Sequence, residues 1–232
     1  MKNQKADFAM KELNRPWVGF KWGLLAAGLA VLAGCSLPTA PVQPATFDFG
    51  ATAAQTSSVP VQSAATVLPA LAVAEIDTSS ALDSTAMLYR LNYLQAHQLQ
   101  PYTLARWSAP PAQLVRQRLR EHLGHSRTVL SMGEAATLNR AAATTGNRLW
   151  VLRLELEEFS QQFESATQSQ GVIRVRATLS EKTPVGDRLL GQRAVTVSRP
   201  AASADAAGGV LALTAATDAA VAELAGWLAG LK

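Results

Sequence analysis

The sequence predicts an α+β domain, an antiparallel sheet with two helices packed on one face, preceded by a signal peptide and a flexible tether. Three observations support this fold class. Apolar and polar residues alternate through the second half of the chain, as in half-buried strands. Two segments instead repeat their apolar residues with helical spacing. A short apolar run near the N terminus ends at the chain's only cysteine.

The apolar run covers residues 22–34 and follows a segment that carries Lys11, Arg15 and Lys21. Its 13 residues fall short of the roughly 20 that a membrane-spanning helix needs. We therefore interpret residues 1–34 as a signal peptide, with translation starting at either Met1 or Met10.

The signal peptide ends in Leu32-Ala33-Gly34-Cys35, the pattern at which a lipoprotein signal peptidase cuts. Cys35 is the predicted lipidation site, and its diacylglyceryl and N-acyl groups, palmitate among them, are the only prosthetic groups predicted. An ordinary buried thiol is the alternative. Ser36, rather than Asp, follows the cysteine, which predicts sorting to the outer membrane with the domain on the periplasmic face.

Residues 35–66 form the predicted lipidated cysteine and flexible linker, and residues 67–232 form the predicted domain. The linker is rich in Pro, Ala, Thr and Ser and has one acidic and no basic residue. About 30 such residues have a root-mean-square reach of roughly 30 Å, and proline-driven extension lengthens it. Phe47-Asp48-Phe49 is the exception, since its alternation fits either a short edge strand or disorder.

Six strands are predicted in the domain. Residues 71–76 form a short apolar strand, and the alternating segment 87–93 pairs with 98–104 as a hairpin. Residues 150–156, 173–179 and 189–197 form a meander. In the first of these three, the apolar phase changes at Phe159 and Phe163, which indicates a bulge or a strand that extends beyond the sheet.

Two helices are predicted. Ser108 can cap the first helix, whose opening turn tolerates Pro110 and Pro111 and whose course ends near Gly124. The second helix runs from about 206 to 231 with Asp205 as its cap. Its many alanines favour close packing on the sheet.

The charge balance excludes a strongly basic nucleic-acid-binding protein. Of 21 basic and 17 acidic residues, five and two lie in the signal peptide, which leaves 16 and 15. No catalytic, cofactor or metal motif is present, so no enzyme is predicted. His122 and His125 could share a metal ion, but a histidine at a helix end is the simpler interpretation. Glu155, Glu157 and Glu158 are more typical of a solvated strand face than of paired catalytic carboxylates.

Four residues are candidates for partner binding. Arg116 and Arg120 lie four apart on one helix face, where guanidinium groups could bind lipid phosphates or an acidic partner surface, or simply face solvent. Arg106 and Trp107 precede the Pro-Pro helix start and form a possible recognition pair. A tryptophan buried under the domain explains that pair equally well.

A series of segments resembles one known family. They are Tyr89-Arg90, Tyr102, the run from Arg106 to Pro111, the strand 154–163, Gly208-Gly209-Val210, and Trp227-Leu228. Their order behind a lipidated cysteine is similar to the ABC-type transport auxiliary lipoproteins, which include the paraquat-inducible C-type lipoproteins. Phe47-Asp48-Phe49 departs from the Tyr-x-Leu strand that the family more often has.

The resemblance implies an accessory of an Mce-type system, in which an inner-membrane ABC transporter and a periplasmic Mce-type protein move lipids between the two membranes. The direct partners would be the membrane and the Mce-type protein, with the transporter contacted indirectly. Self-association into a homo-oligomer is compatible with this role.

Three functions remain open from the sequence. The domain could be a docking adaptor, a soluble lipid carrier, or an assembly lipoprotein for an outer-membrane barrel. A carrier needs a sizeable apolar cavity, whereas an adaptor needs a filled core and an exposed patch. A barrel-assembly factor would lack an Mce-type partner.

Overall fold

The computed structural model describes residues 42–51, 68–142, 149–183 and 185–231. The predicted signal peptide, Cys35 and most of the predicted linker lie outside these residues. The strands are β1 (Ala45–Phe47), β2 (Ala70–Thr78), β3 (Ala86–Leu91), β4 (Ala96–Trp107), β5 (Val129–Leu130), β6 (Leu149–Phe163), β7 (Ser169–Thr183) and β8 (Gly186–Pro200). The helices are α1 (Asn92–Gln95), α2 (Pro111–Gly124), α3 (Met132–Ala142) and α4 (Ala206–Gly230).

The described strands form one mixed sheet around β6. One edge of β6 pairs antiparallel with β7, which pairs in turn with β8. Along the other edge, β2 runs parallel to the first half of β6 and β3 runs parallel to its last three residues. Beyond them, β5 pairs parallel with β2, β4 antiparallel with β3, and β1 parallel with β4.

The α+β class is confirmed, but the sheet is not wholly antiparallel as predicted. β2 and β3 share one edge of β6, and both run in its direction. The segment between β4 and β6, which contains α2, β5 and α3, is long enough to return the chain for parallel pairing. Alternation along a strand shows which face is buried and does not show the direction of its neighbour.

The predicted change of phase in β6 is confirmed as a bulge. The register of β6 against β7 shifts between Leu156 and Glu158. Even-numbered residues up to Leu156 and then Phe159 and Phe163 are buried. The extra residue lets a strand of 15 residues keep its apolar side on one core.

The two predicted helices, α2 and α4, pack on one face of the sheet and contact each other. They cover the main core, which includes Leu119 from α2, Leu213 and Leu228 from α4, and the buried side of β6 and β7. Helix α3, which was not predicted, packs on β2 and β5. It contributes to a second, smaller core. The residues of that core are Ala72, Leu130, Ala135, Leu149 and Val151.

The helix starts agree in part with the predictions. The cap of α4 is confirmed, since Asp205 Oδ1 accepts a hydrogen bond of 2.8 Å from the backbone N–H of Gly208. The Ser108 cap is wrong. Pro110 occupies the cap position of α2 without a side-chain hydrogen bond, and Pro111 is the first helical residue. The fixed φ of proline orders this first turn.

Within the described residues, α4 alone is long and apolar enough to cross a membrane, yet more than half of its most apolar window is buried inside the domain. Two glycines permit the close approach of α4 to the sheet. A Cβ on Gly171 of β7 would lie 2.5 Å from the backbone nitrogen of Leu213, and one on Gly209 would lie 2.0 Å from Gln161 Oε1. The apolar character of α4 therefore belongs to a core helix.

The domain also includes residues from the predicted linker. Ala45–Phe47 forms β1, an edge strand in register with Ala105–Trp107. The predicted strand at Phe47-Asp48-Phe49 is therefore confirmed only at Phe47, because β1 ends there and Asp48 and Phe49 follow it. Phe49 then packs against the main core. Pairing with β4 and burial of Phe49 supply the stabilisation that the surrounding composition does not.

Candidate functional site

The predicted recognition pair is divided between core and surface. Trp107 is 1% exposed, and its ring centroid lies 5.7 Å from Phe49 and 5.6 Å from Phe159. Arg106 is exposed, and its Nε donates a hydrogen bond of 3.3 Å to Thr46 Oγ1. Adjacent residues of a strand point to opposite faces, so the two side chains cannot act on one ligand. Trp107 is therefore a buried core residue, which was the alternative interpretation of this pair.

Arg118 has a structural role that the sequence analysis missed. The residue is 6% exposed. Its Nη2 donates to the carbonyl oxygen of Phe49 at 2.8 Å, and its Nε lies 3.1 Å from Asp218 Oδ1 on α4. The guanidinium carbon also lies 5.8 Å from the centre of the Phe49 ring. Arg118 therefore joins the segment after β1 to both helices. Its position among the apolar residues of α2 was the available signal.

Arg116 and Arg120, which were expected on one face of a helix, both line a groove. The groove has a volume of about 540 Å³ and lies beside α2. Arg116 pairs with Glu75 of β2, a carboxylate that is mostly exposed. The remaining lining residues are polar or charged: Gln113, Gln117, Glu121 and Ser131. We call this surface the α2 groove.

The start of α3 closes one side of the α2 groove. Glu134 Oε2 accepts hydrogen bonds of 2.7 Å from the backbone N–H and the hydroxyl of Ser131, while the Glu134 N–H donates to Ser131 Oγ at 3.3 Å. This is a capping box, and the Ser-x-x-Glu spacing is the sequence signal by which α3 could have been found. The backbone hydrogen bond from Ser131, above all, lowers the pKa of the Glu134 carboxyl, and Arg120 adds to the effect.

A smaller concave site of about 140 Å³ lies where the segment after β1 meets α2. Phe49 and Leu114 supply apolar surface there, and Asp48, Gln117, Arg118 and Glu121 supply polar atoms. Neither this site nor the α2 groove offers a continuous apolar lining. Both are suited to polar contacts with a macromolecular surface rather than to enclosing an acyl chain.

The carboxylates and histidines considered for catalysis lie on the surface. Glu155 and Glu157 both pair with Arg176 of the neighbouring strand, and Glu158 pairs with Arg90 at 3.3 Å. The Glu157 carboxylate, above all, raises the pKa of Arg176. In the described part of the chain, no three His, Cys, Asp or Glu side chains are grouped to hold a metal ion.

Two buried polar groups have structural partners. Tyr102 donates a hydrogen bond of 2.9 Å to Gln161 Oε1, and Gln161 Nε2 donates one of 2.8 Å to Ser169 Oγ. Burial raises the pKa of Tyr102. At the other end of β6, the Arg127 guanidinium lies over the Trp150 ring at 5.7 Å, and its Nη2 donates to the carbonyl oxygen of Leu228 at 3.5 Å. Its Nε and Nη1 are buried without a hydrogen-bond partner among the residues that the structure describes, and burial lowers the pKa of Arg127.

The fold therefore defines a class, an α+β domain with a buried apolar core and polar concave sites on its surface. The comparisons with known proteins identify the family. The model of the ABC-type transport auxiliary lipoprotein component matches residues 49–225, and the chain belongs to this family. The match begins at Phe49, the residue that anchors the N-terminal segment to the core. Among the curated proteins, none matches the sequence.

Solved structures support the fold. Protein XCC0632 from Xanthomonas campestris superimposes with a TM-score of 0.54 at 20% identity, over 69% of this chain and 89% of that one. An uncharacterised protein gives a TM-score of 0.54 at 13% identity, over 80% and 99% of the two chains. Lipoprotein GNA1162 from Neisseria meningitidis gives a TM-score of 0.35 at 11% identity, with coverage of 68% and 99%, so the support for the fold comes from the first two structures alone.

Proposed function

We propose that the protein is an outer-membrane-anchored lipoprotein that docks an Mce-type periplasmic protein to that membrane, as the accessory component of an ABC-transporter-linked lipid transport system. In this proposal the domain performs no covalent chemistry. The observation that carries the proposal is the family match over residues 49–225, combined with a cysteine placed for lipidation ahead of the domain.

The packing favours an adaptor over a lipid carrier. The main core contains fully buried side chains such as Trp107, Phe159 and Leu213, so the space between helices and sheet is filled. The α2 groove has the volume of a small-molecule site, but its lining residues are polar or charged. An acyl chain bound there would gain little from burial, whereas a polar protein surface could pair with Arg116 and Arg120.

The first test concerns the anchor. The acyl chains of the lipidated Cys35 would bury enough methylenes, at about 0.8 kcal/mol each, to hold the protein on a membrane where one chain would not. Mass spectrometry of protein purified from outer-membrane fractions should show an N-terminal peptide that begins with acylated Cys35. An unmodified cysteine, or recovery in the inner membrane, would contradict the anchor.

The second test concerns the partner. Affinity purification of the tagged protein from detergent-solubilised membranes should recover an Mce-type protein. The variant Arg116→Glu/Arg120→Glu reverses two charges in the α2 groove and should reduce that recovery. The matched control, Arg174→Glu/Arg199→Glu, reverses two exposed arginines on β7 and β8 and should leave recovery unchanged.

Three results would redirect the proposal. Equal recovery with both double variants would exclude the α2 groove as the docking surface. Recovery of a β-barrel protein without an Mce-type protein would support the assembly alternative. Stoichiometric lipid in the purified domain would support the carrier. The control variant should keep the parent melting temperature, because exposed substitutions usually change stability by less than about 0.5 kcal/mol. The groove variant places a carboxylate beside Glu75, so its recovery is compared only after thermal unfolding shows that it is folded at the assay temperature.

A further inference from the structure

The turn between β3 and β4 forms one end of the sheet and exposes apolar side chains. We call residues 91–98, which include α1, the hairpin tip. It lies beside the C-terminal end of β6, where Asn92 Nδ2 donates a hydrogen bond of 2.8 Å to Glu164 Oε1. Tyr93 is 44% exposed and Leu94 is 66% exposed. Both residues belong to α1, a helix of four residues with no buried side chain.

Charged side chains lie beside the hairpin tip but not within it. Glu164 accepts a hydrogen bond from Asn92, and Arg90 pairs with Glu158 on the adjoining strands. Residues 91–105 contain no Asp, Glu, Lys or Arg.

At the opposite end of the sheet, the β7–β8 turn presents an ion pair between Lys182 and Asp187 at 2.7 Å. Arg153 lies 3.8 Å from Asp187 Oδ2, and Arg188 pairs with Glu181 at 2.6 Å. Charged groups resist transfer out of water far more strongly than neutral polar groups do. The β7–β8 turn exposes Val185 as well, but among these charges, so the hairpin tip can approach a lipid interface at lower cost than this turn can.

The N-terminal chain enters the domain from the side of the hairpin tip. β1 runs parallel to β4 with Ala45 opposite Ala105, so the residues before Ala45 lie toward the beginning of β4. β4 bulges against β3 here, and β3 covers the same distance in the five steps from Ala86, opposite Arg106, to Leu91 at the tip, which corresponds to about 17 Å of strand. Nine residues separate Cys35 from Ala45, so the two residues lie at most about 35 Å apart.

This connection is much shorter than the predicted 35–66 linker, because β1 belongs to the domain. A lipid on Cys35 would therefore hold Ala45 within about 35 Å of the bilayer. This maximum exceeds the roughly 17 Å along the sheet between Ala45 and the hairpin tip. The anchor therefore allows the end of the sheet that exposes Tyr93 and Leu94 to reach the bilayer.

We propose that the hairpin tip rests on the phospholipid surface, with Tyr93 and Leu94 in the interface, and that this contact orients the domain. The inference relies on the lipidation of Cys35 in the proposed function. Tyrosine suits this position because its ring is apolar and its hydroxyl remains hydrated. The contact can be weak, since the anchor converts it into an intramolecular event with a high effective concentration.

The test uses the full acylated protein in vesicles of phosphatidylethanolamine and phosphatidylglycerol. Cys35 is the chain's only cysteine and its sulfur is acylated, so Leu94→Cys introduces a single free thiol. An environment-sensitive fluorophore on this thiol reports immersion. Leu189→Cys is the matched control, because Leu189 of β8 is also 66% exposed but lies at the opposite end of the sheet.

We expect the label at position 94 to shift its emission to the blue on vesicles and to be quenched by lipids brominated along their acyl chains. The label at position 189 should keep its aqueous emission. Equal immersion of both labels, or an aqueous signal at position 94, would overturn the inference. In the latter case Tyr93 and Leu94 would be free for a protein partner instead.

Failure of the anchor itself is distinguishable. Vesicle flotation and mass spectrometry of the Cys35 peptide report lipidation independently of the label. Protein that floats and is acylated but keeps position 94 in water refutes the orientation and leaves the proposed anchor intact. Protein that neither floats nor carries acyl groups refutes both.

Discussion

Removing the Trp107 side chain should strongly destabilise the domain. Trp107 is 1% exposed, and its indole packs between Phe49 and Phe159. Replacement of a buried tryptophan by alanine costs about 3–5 kcal/mol, and the aromatic contacts account for roughly 0.5–1.5 kcal/mol beyond simple burial. For a domain of this size, each kcal/mol lowers the melting temperature by about 2–4 °C. We therefore expect Trp107→Ala to melt roughly 6–20 °C below the parent.

The assay is thermal unfolding followed by circular dichroism, with Arg106→Ala as the neighbouring control. Arg106 is exposed and makes one long hydrogen bond to Thr46, so its replacement should change stability by less than about 0.5 kcal/mol. Trp107→Phe should fall between the parent and Trp107→Ala. A Trp107→Ala variant that melts within two or so degrees of the parent and loses its partner would refute this reasoning and restore the recognition pair.

Two further predictions concern α4. Gly209→Ala should destabilise the domain by about 1–3 kcal/mol, since its Cβ would lie 2.0 Å from Gln161 Oε1. Gly226→Ala is the control, because its Cβ would have no atom of the described residues within 4 Å, and it should stabilise the domain by about 0.4–1 kcal/mol. Equal free energies of unfolding in urea for the two variants would contradict this prediction. The N–H of Gly208, above all, holds the pKa of Asp205 below its usual range. Asp205 therefore contributes stability above the carboxyl's unfolded pKa, and that contribution is lost as pH falls through the lowered folded value. Melting temperatures measured from about pH 6 to 2 should fall less for Asp205→Asn, which keeps the cap uncharged, than for the parent, and parallel curves would exclude the effect.

The positions of the candidate site residues could be predicted only where residues close in sequence were sufficient to determine them. Arg116 and Arg120 share a groove because residues four apart lie on the same face of any helix. Trp107 was ambiguous because a strand residue beside an exposed arginine can be buried or functional, and only its neighbours decide which. Arg118 was missed because its partners, Phe49 and Asp218, are 69 and 100 residues away in the chain.

The sequence by itself determined the elements whose burial is periodic. The strands β6 and β7, the bulge in β6, and the helices α2 and α4 follow from apolar spacing, since each buries one face whatever its partner. The tertiary structure alone decided which strands are neighbours and in which direction they run. The parallel pairing of β2 and β3 with β6 depends on a crossover that no local pattern encodes.

Likewise, Ala45–Phe47 becomes a strand only because β4 offers an open edge, and Phe49 is ordered by Trp107, Phe159 and Arg118. Backbone hydrogen bonds between distant segments and the burial of one aromatic ring overcome a local composition that favours disorder. Propensity describes what a segment does alone, and a segment of three residues has too few interactions of its own to determine its structure.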